Sequence, residues 1–80
     1  MKAIVHVNLK PGVLDPQGRA IARSLNHMGF DMVEDVRQGK TLELDLKSDN
    51  PEDAKAEVEK MCEQLLANTV IENYEFEISE

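Results

Sequence analysis

The 80-residue chain carries one cysteine, Cys62, and a lone thiol cannot close an intramolecular disulfide. Aromatic residues make up only 4%, so a core has to be assembled from Ile, Leu, Val and Met. Cations are scarce as well: 9 Lys and Arg stand against 16 Asp and Glu, for a net charge of −7. Nucleic-acid affinity comes chiefly from Lys and Arg neutralising phosphates, and no basic stripe here overrides the global sign. An anionic membrane surface is disfavoured for the same reason. The longest apolar run is far too short to span a bilayer. The first residues are apolar only briefly before Lys10-Pro11-Gly12, without the hydrophobic region or cleavage site of a signal peptide. These absences exclude nucleic-acid and membrane partners and lead us to expect a cytoplasmic protein.

What is present fits one domain over residues 1–80, at the small end of what a single core stabilises. A domain of this size often gains stability by associating with itself or with something larger. In residues 2–9, Ala3, Val5, Val7 and Leu9 alternate with Lys2, Ile4, His6 and Asn8, the period of a strand. Asp15-Pro16 offers an N-cap followed by proline at the first helical position. Ile21, Leu25 and Met28 then form one apolar stripe, and Gly29 suits the positive φ that ends a helix. Residues 31–37 and 41–47 read as two strands joined at Gln38-Gly39-Lys40, with Gly39 supplying the positive φ of a tight turn. The first of the two is irregular, with Met32, Val33 and Val36, so a bulge or an edge position is expected there. Asn50-Pro51 opens a second helix, whose stripe is Ala54, Val58, Met61 and Leu65, widened by Cys62 and Leu66. Asn68 marks its end, and Tyr74, Phe76 and Ile78 alternate along a last strand. The order β-α-β-β-α-β predicts an α+β, ferredoxin-like two-layer sandwich: an antiparallel four-stranded sheet with both helices on one face. Ile4, Met32 or Val33, and Ile71 fall outside that apolar face. An open sheet face and exposed edges suit dimerisation.

The chemistry-bearing residues are isolated. His6 and His27 have no second ligand at metal spacing, and both read as surface histidines. Cys62 has Met61, Glu63 and Gln64 as sequence neighbours, which supply neither base nor positive charge, so it reads as a packed thiol. The glycines at 12 and 39 lack any phosphate-loop pattern. Glu72, Glu75, Glu77 and Glu80 form a solvated strand face rather than a loop of converging oxygens. Val13 and Leu14 are apolar in a connection that should be polar, and Leu14 reads equally as a hydrophobic staple for the first helix or, with that loop, as part of a partner-facing surface. Neither the Cys-x-x-Cys of a metal chaperone nor the loop arginine of an acylphosphatase is present. A stand-alone ligand-binding regulatory domain of the same topology remains an alternative, because such sites use backbone groups at a dimer interface.

Lys10 through Gly18 (Lys-Pro-Gly-Val-Leu-Asp-Pro-Gln-Gly) closely resembles the opening segment of the small subunit of multi-subunit phosphoribosylformylglycinamidine (FGAM) synthase, the PurS family. The resemblance continues through Leu25, Gly29-Phe30, Val36 to Lys40, Cys62 to Asn68 and Val70 to Tyr74. It covers essentially the whole chain, and Thr69 departs from the proline more usual after the asparagine. It implies a non-catalytic subunit of a complex that converts formylglycinamide ribonucleotide to formylglycinamidine ribonucleotide with ATP and glutamine, in de novo purine synthesis. The implied partners are a large synthetase subunit, which uses ATP and Mg2+, and a glutaminase subunit with its own cysteine nucleophile. No cofactor is implied on this chain, which would join the two so that ammonia passes between them, as a homodimer or dimer of dimers. Carried over onto this sequence, the interface residues are Lys10, Gly12, Asp15 and Gly18, then Arg37, Gly39 and Lys40, then Asn68, Ile71 and Glu72. Arg37 and Lys40 have the least evident structural duty among them.

Overall fold

The computed structural model describes residues 1–79; Glu80, the last glutamate of the acidic strand face, lies outside the described residues. In chain order run β1 (Lys2–Leu9), α1 (Pro16–His27), β2 (Gly39–Asp45), α2 (Pro51–Met61) and β3 (Glu72–Ser79), with a π-helical turn over Cys62–Leu66 continuing α2. The described residues form a three-stranded sheet in the order β2-β1-β3, antiparallel throughout. Ala3 sits between Leu44 and Ile78, and Val5 between Leu42 and Phe76, so the period-two pattern of each strand places its apolar set on one face. Ala3, Val5 and Val7 on the central strand are buried against Val58 and Cys62, and the leucines of β2 and the Tyr74, Phe76 and Ile78 set of β3 are half-buried around them.

Both helices begin as their cap residues predict. Asp15 and Asn50 accept hydrogen bonds from the backbone N–H groups of Gly18 and Glu52, with Pro16 and Pro51 at the first positions. Gly29 ends α1 at φ +101°. The stripe of α2 stays in phase only as far as Cys62. There the backbone widens, and the Ala67 N–H reaches the Cys62 carbonyl at 3.0 Å, one residue further back than in an α-helix. The extra residue turns Leu65 outward, to 83% exposure, and keeps Leu66 against the core.

The predicted four-stranded sheet with two covering helices is not what forms. Residues 31–37 make no strand and no hairpin. Asp31, Glu34 and Asp35 break their alternation. Backbone groups of the segment turn to α1 instead: the Asn26 Nδ2 donates to the Val33 carbonyl at 3.1 Å, and the Val36 carbonyl lies against Gly18. Gly39 does not adopt positive φ. It begins β2 opposite Asn8, where a Cβ would run into the Asn8 side chain and lie 2.9 Å from the Val7 carbonyl, so the glycine serves a close strand approach rather than a turn. The second correction concerns α1, which projects past the end of the sheet. Its Ile21 and Met28 are exposed, and among the described residues only α2 covers the sheet face. The chain is accordingly elongated, 49 × 26 × 14 Å with a radius of gyration of 16.2 Å, against about 12 Å for a compact chain of this length.

Candidate partner-binding site

The ten interface residues expected from the resemblance come from three stretches of chain, and the fold gathers them around one end of the sheet. Lys10-Pro11-Gly12-Val13 forms a turn closed by the Val13 N–H on the Lys10 carbonyl at 3.1 Å, with Gly12 at φ +90°. Proline and then a positive-φ glycine at the two central positions are what a type II turn requires. The Lys10 N–H donates to the Ile71 carbonyl at 2.8 Å, which ties this turn to the approach to β3.

Asp15 is the centre of the arrangement. Only 6% exposed, its carboxylate accepts from the Gly18 N–H at 2.9 Å and from the Gln38 N–H at 2.7 Å. One side chain thus caps α1 and fixes the start of β2. Gly18 lets the Val36 backbone come close, because a Cβ there would overlap the Val36 carbonyl oxygen. Arg37 completes the brace, its guanidinium donating to the Val13 carbonyl at 2.8 Å and to the Lys10 carbonyl at 3.1 Å. Sequence reasoning finds little structural duty for Arg37; it is in fact a clamp on the turn. Nothing local in the sequence signals a contact across 24 residues.

Asn68 and Glu72 organise the third stretch. The Asn68 N–H donates to the Glu72 carboxylate at 2.6 Å, and the Asn68 side-chain oxygen accepts from the Val70 N–H at 3.1 Å. The Glu72 and Ile71 N–H groups return to the Asn68 carbonyl. This tight turn pushes Val70 outward, to 80% exposure, and leaves Ile71 exposed beside it. A cleft lined by Asp15, Gln17, Gln38, Gly39, Lys40 and Glu72 joins the three stretches. Lys40 has no carboxylate within ion-pair distance among the described residues, where the one such pair is Lys2–Glu43 at 3.7 Å.

Cys62 lies elsewhere, in the core. Burial, reinforced by Glu63 and Glu59, pushes its thiol above the ordinary value, the reverse of what a nucleophile needs. Tyr74 donates to Glu63 at 3.1 Å and pins β3 to the π-helical turn.

Residues 2–80 match the sequence model of the PurS family, described as phosphoribosylformylglycinamidine (FGAM) synthase. The chain belongs to the PurS family. It is 51% identical to the PurS subunit of FGAM synthase from Bacillus subtilis over 80 residues, 99% of this chain and 93% of the relative. It is 47% identical to the Methanocaldococcus jannaschii subunit over 77 residues, 96% and 93% of the two chains. Among solved structures, Methanocaldococcus jannaschii PurS superposes with a TM-score of 0.88 at 46% identity, covering 99% of this chain and 95% of that one. A chain in the structure of PurLQS from Thermotoga maritima superposes with a TM-score of 0.86 at 37% identity, covering 95% and 93%.

The PurS motif around Asp15 titrates in a defined direction. The Gln38 N–H, then the Gly18 N–H and the charge of Arg37, hold its carboxyl below the usual value despite burial. A carboxylate with a lowered folded-state value stabilises the fold above its unfolded value of about 3.9, and that contribution disappears as pH falls through the folded value. Asp15→Asn keeps the cap on Gly18 but offers only one acceptor oxygen where the aspartate has two. We expect the Asp15→Asn substitution to lower Tm by about 5 °C at pH 7. The gap to wild type closes progressively below pH ~4. Thermal melts of both chains from neutral pH down through the titration of the carboxyl measure it; a gap that widens on acidification contradicts the assignment.

The ten residues carried over from the resemblance leave out Gln38, whose backbone holds Asp15, and the exposed apolar residues Phe30 and Val70. Leu14, open between two readings, is 59% exposed, which favours a surface that meets a partner over a staple.

Proposed function

We propose that this chain is the PurS subunit of a multi-subunit FGAM synthase, the glutamine-dependent ligase of purine biosynthesis, and acts there as an assembly subunit without catalytic residues of its own. The close superposition on a chain of the Thermotoga maritima PurLQS structure carries the reading. On this reading its partners are the synthetase and glutaminase subunits, and ATP and Mg2+ are used by the synthetase subunit. The chain joins the two so that ammonia passes between them without loss to water, in the cytoplasm, and works as a homodimer or a dimer of dimers.

The braced end of the sheet is the surface we assign to the partner subunits. Hydrogen bonds to Asp15, Arg37 and Asn68 make it rigid before any partner arrives, which lowers the ordering cost of binding. Lys10, Lys40 and Glu72 supply its charge, and Leu14, Val70 and Ile71 its apolar area. Lys40 is the residue to test, since no hydrogen bond to its side chain occurs among the described residues. Lys40→Glu is expected to leave the far-UV circular dichroism and Tm unchanged while weakening co-elution with the two larger subunits about tenfold or more. Glutamine-dependent activity of the mixture falls with it, and ammonia-dependent activity of the synthetase subunit does not. Full co-elution of the variant removes the surface; failure of the wild-type chain to bind either subunit removes the function.

A further inference from the structure

The chain holds six lysines and three arginines. The lysines are scattered from Lys2 to Lys60, but Arg19, Arg23 and Arg37 all line one cleft of about 550 Å³. The turn at Gly12, α1 and the segment before β2 form that cleft, and Leu14, Glu34 and Asp35 line it as well. At about 100° per residue, Arg19 and Arg23 lie within about 40° of each other on α1, on the side opposite Ile21 and Met28.

These charges weaken α1 rather than support it. Like charges four residues apart on a helix repel. Arg19 immediately follows the first turn, at the end of the helix whose dipole disfavours a cation. No acidic residue offsets it in the first turn of α1, whereas α2 carries Glu52 and Asp53 in its first turn and Lys60 in its last. Glu34 and Asp35 do not neutralise the pair either: among the described residues no carboxylate lies within ion-pair distance of Arg19 or Arg23. Arg37 is fixed by the Val13 and Lys10 carbonyls, and the Asp15 carboxylate is taken up by the Gly18 and Gln38 N–H groups. Side chains that break the local rules without a compensating contact in the fold are expected at functional positions.

Guanidinium forks suit a carboxylate or a phosphate, since they grip two oxygens at once. Glu34 and Asp35 decide between the two: they repel a phosphate dianion more than a single carboxylate, and they offer a seat for a cation beside it. Exposure decides where the carboxylate comes from. All three arginines, Glu34 and Asp35 are exposed, so a free acid gives up its hydration for weakly held contacts. A carboxylate on a protein that is already held nearby binds at a high effective concentration. On the reading that the chain assembles with two larger subunits, such a protein is at hand, because Gly12, Asp15 and Arg37 belong both to this cleft and to the braced end of the sheet. We infer that the cleft receives a segment of one larger subunit in which an acidic and a basic residue lie close together. Arg19 and Arg23 hold its carboxylate, and Glu34 and Asp35 face its cation. The inference rests on that reading and adds a contact made by α1, through two arginines outside the ten residues carried over from the resemblance.

Binding of the full chain to the two larger subunits, measured over a range of salt concentrations, tests this. Arg19→Gln/Arg23→Gln is expected to weaken binding about tenfold or more at low salt and to flatten its salt dependence. The Tm of that variant stays level or rises, because two repelling charges leave α1; a clear fall marks the pair as structural and overturns the inference. Arg19→Lys/Arg23→Lys keeps the charge, loses the fork and recovers part of the affinity. In the complex of this second variant a carbodiimide couples the introduced amines to the carboxylates they touch. Peptide mass spectrometry is expected to find position 19 or 23 linked to an Asp or Glu of a larger subunit. Links only to Glu34 or Asp35 of the same chain make the arginines internal partners and overturn the inference, as does a glutamine variant that binds like wild type at every salt concentration. A rise in the Tm of the isolated chain with about 10 mM free glutamate, abolished in the glutamine variant, assigns the cleft to a free acid instead. Failure of the wild-type chain to bind either subunit removes the underlying function, which none of the other outcomes does.

Discussion

Gly18→Ala is expected to lower Tm by about 10 °C or more, at a position where sequence rules anticipate a gain. Alanine in place of glycine within a helix normally stabilises by up to ~1 kcal/mol, because glycine loses more backbone freedom on folding. Here the new methyl group would overlap the Val36 carbonyl oxygen and come within 2.9 Å of an Asp15 carboxylate oxygen. The Val36 group is backbone and cannot swing away, so either α1 shifts or the 31–37 segment lifts off it. Overpacking of this kind costs about 1–3 kcal/mol, and losing the Asp15 hydrogen bonds adds to it. In a domain of this size each kcal/mol moves Tm by about 4–8 °C. Gln17→Ala, one residue earlier and exposed, is the control and stays near wild type. Melts followed by circular dichroism settle the matter: a Gly18→Ala chain as stable as wild type contradicts the close approach.

Much of this arrangement is legible in the amino-acid order, and the failures have identifiable physical causes. β1, β2 and β3 announce themselves by alternation, and both helices by Asp15-Pro16 and Asn50-Pro51, because caps and strand faces are local chemistry. The stretch from Asp31 to Arg37 reads as a strand on the strength of Met32, Val33 and Val36. Its charged residues break the period, and Asn26 and Gly18 give it a helix to lie along. A stripe such as Ile21, Leu25 and Met28 records that a face is apolar without recording where the helix lies, and the long-range brace of Asp15 and Arg37 holds α1 away from the sheet, so the two-helix sandwich does not form. Counting in steps of 3.6 assigns Leu65 to the core, and the π-helical turn at Cys62 changes the step. Gly39 stands out in the sequence for a reason other than its actual one, since a close approach of strands and a positive-φ turn leave the same mark. The candidate site is visible as a set of residues only through family resemblance. Its internal logic, Asp15 to Gln38 and Arg37 to the turn at Lys10, consists of long-range contacts that have no local signature.

The second large effect belongs to the core. Its fully buried members on the sheet and on α2 are small: Ala3, Val5, Val7, Val58 and Cys62. With no large side chain at the centre, neighbouring residues have little slack to fill a hole. Val58→Ala removes two methyl groups at a position with no exposure, worth about 1.6 kcal/mol in transfer and about 2–3 kcal/mol once the cavity is included. Small domains hold only about 5 kcal/mol in total, so Tm is expected to fall by roughly 10–20 °C. The effect on the enzyme complex should follow the folded fraction alone. At about 15 °C, where the variant is still mostly folded, complex assembly and glutamine-dependent turnover should approach wild type, and both should collapse at about 37 °C ahead of the wild-type chain. Cys62→Ser, one turn along the same face, should behave alike, losing stability as a hydroxyl enters an apolar site but retaining turnover when cold. A Cys62→Ser complex that is fully assembled yet inactive at low temperature would assign that thiol a chemical role, against its burial and its raised proton affinity. Temperature therefore separates a residue that holds this subunit together from one that takes part in the reaction, and Val58 supplies the reference curve for the first kind.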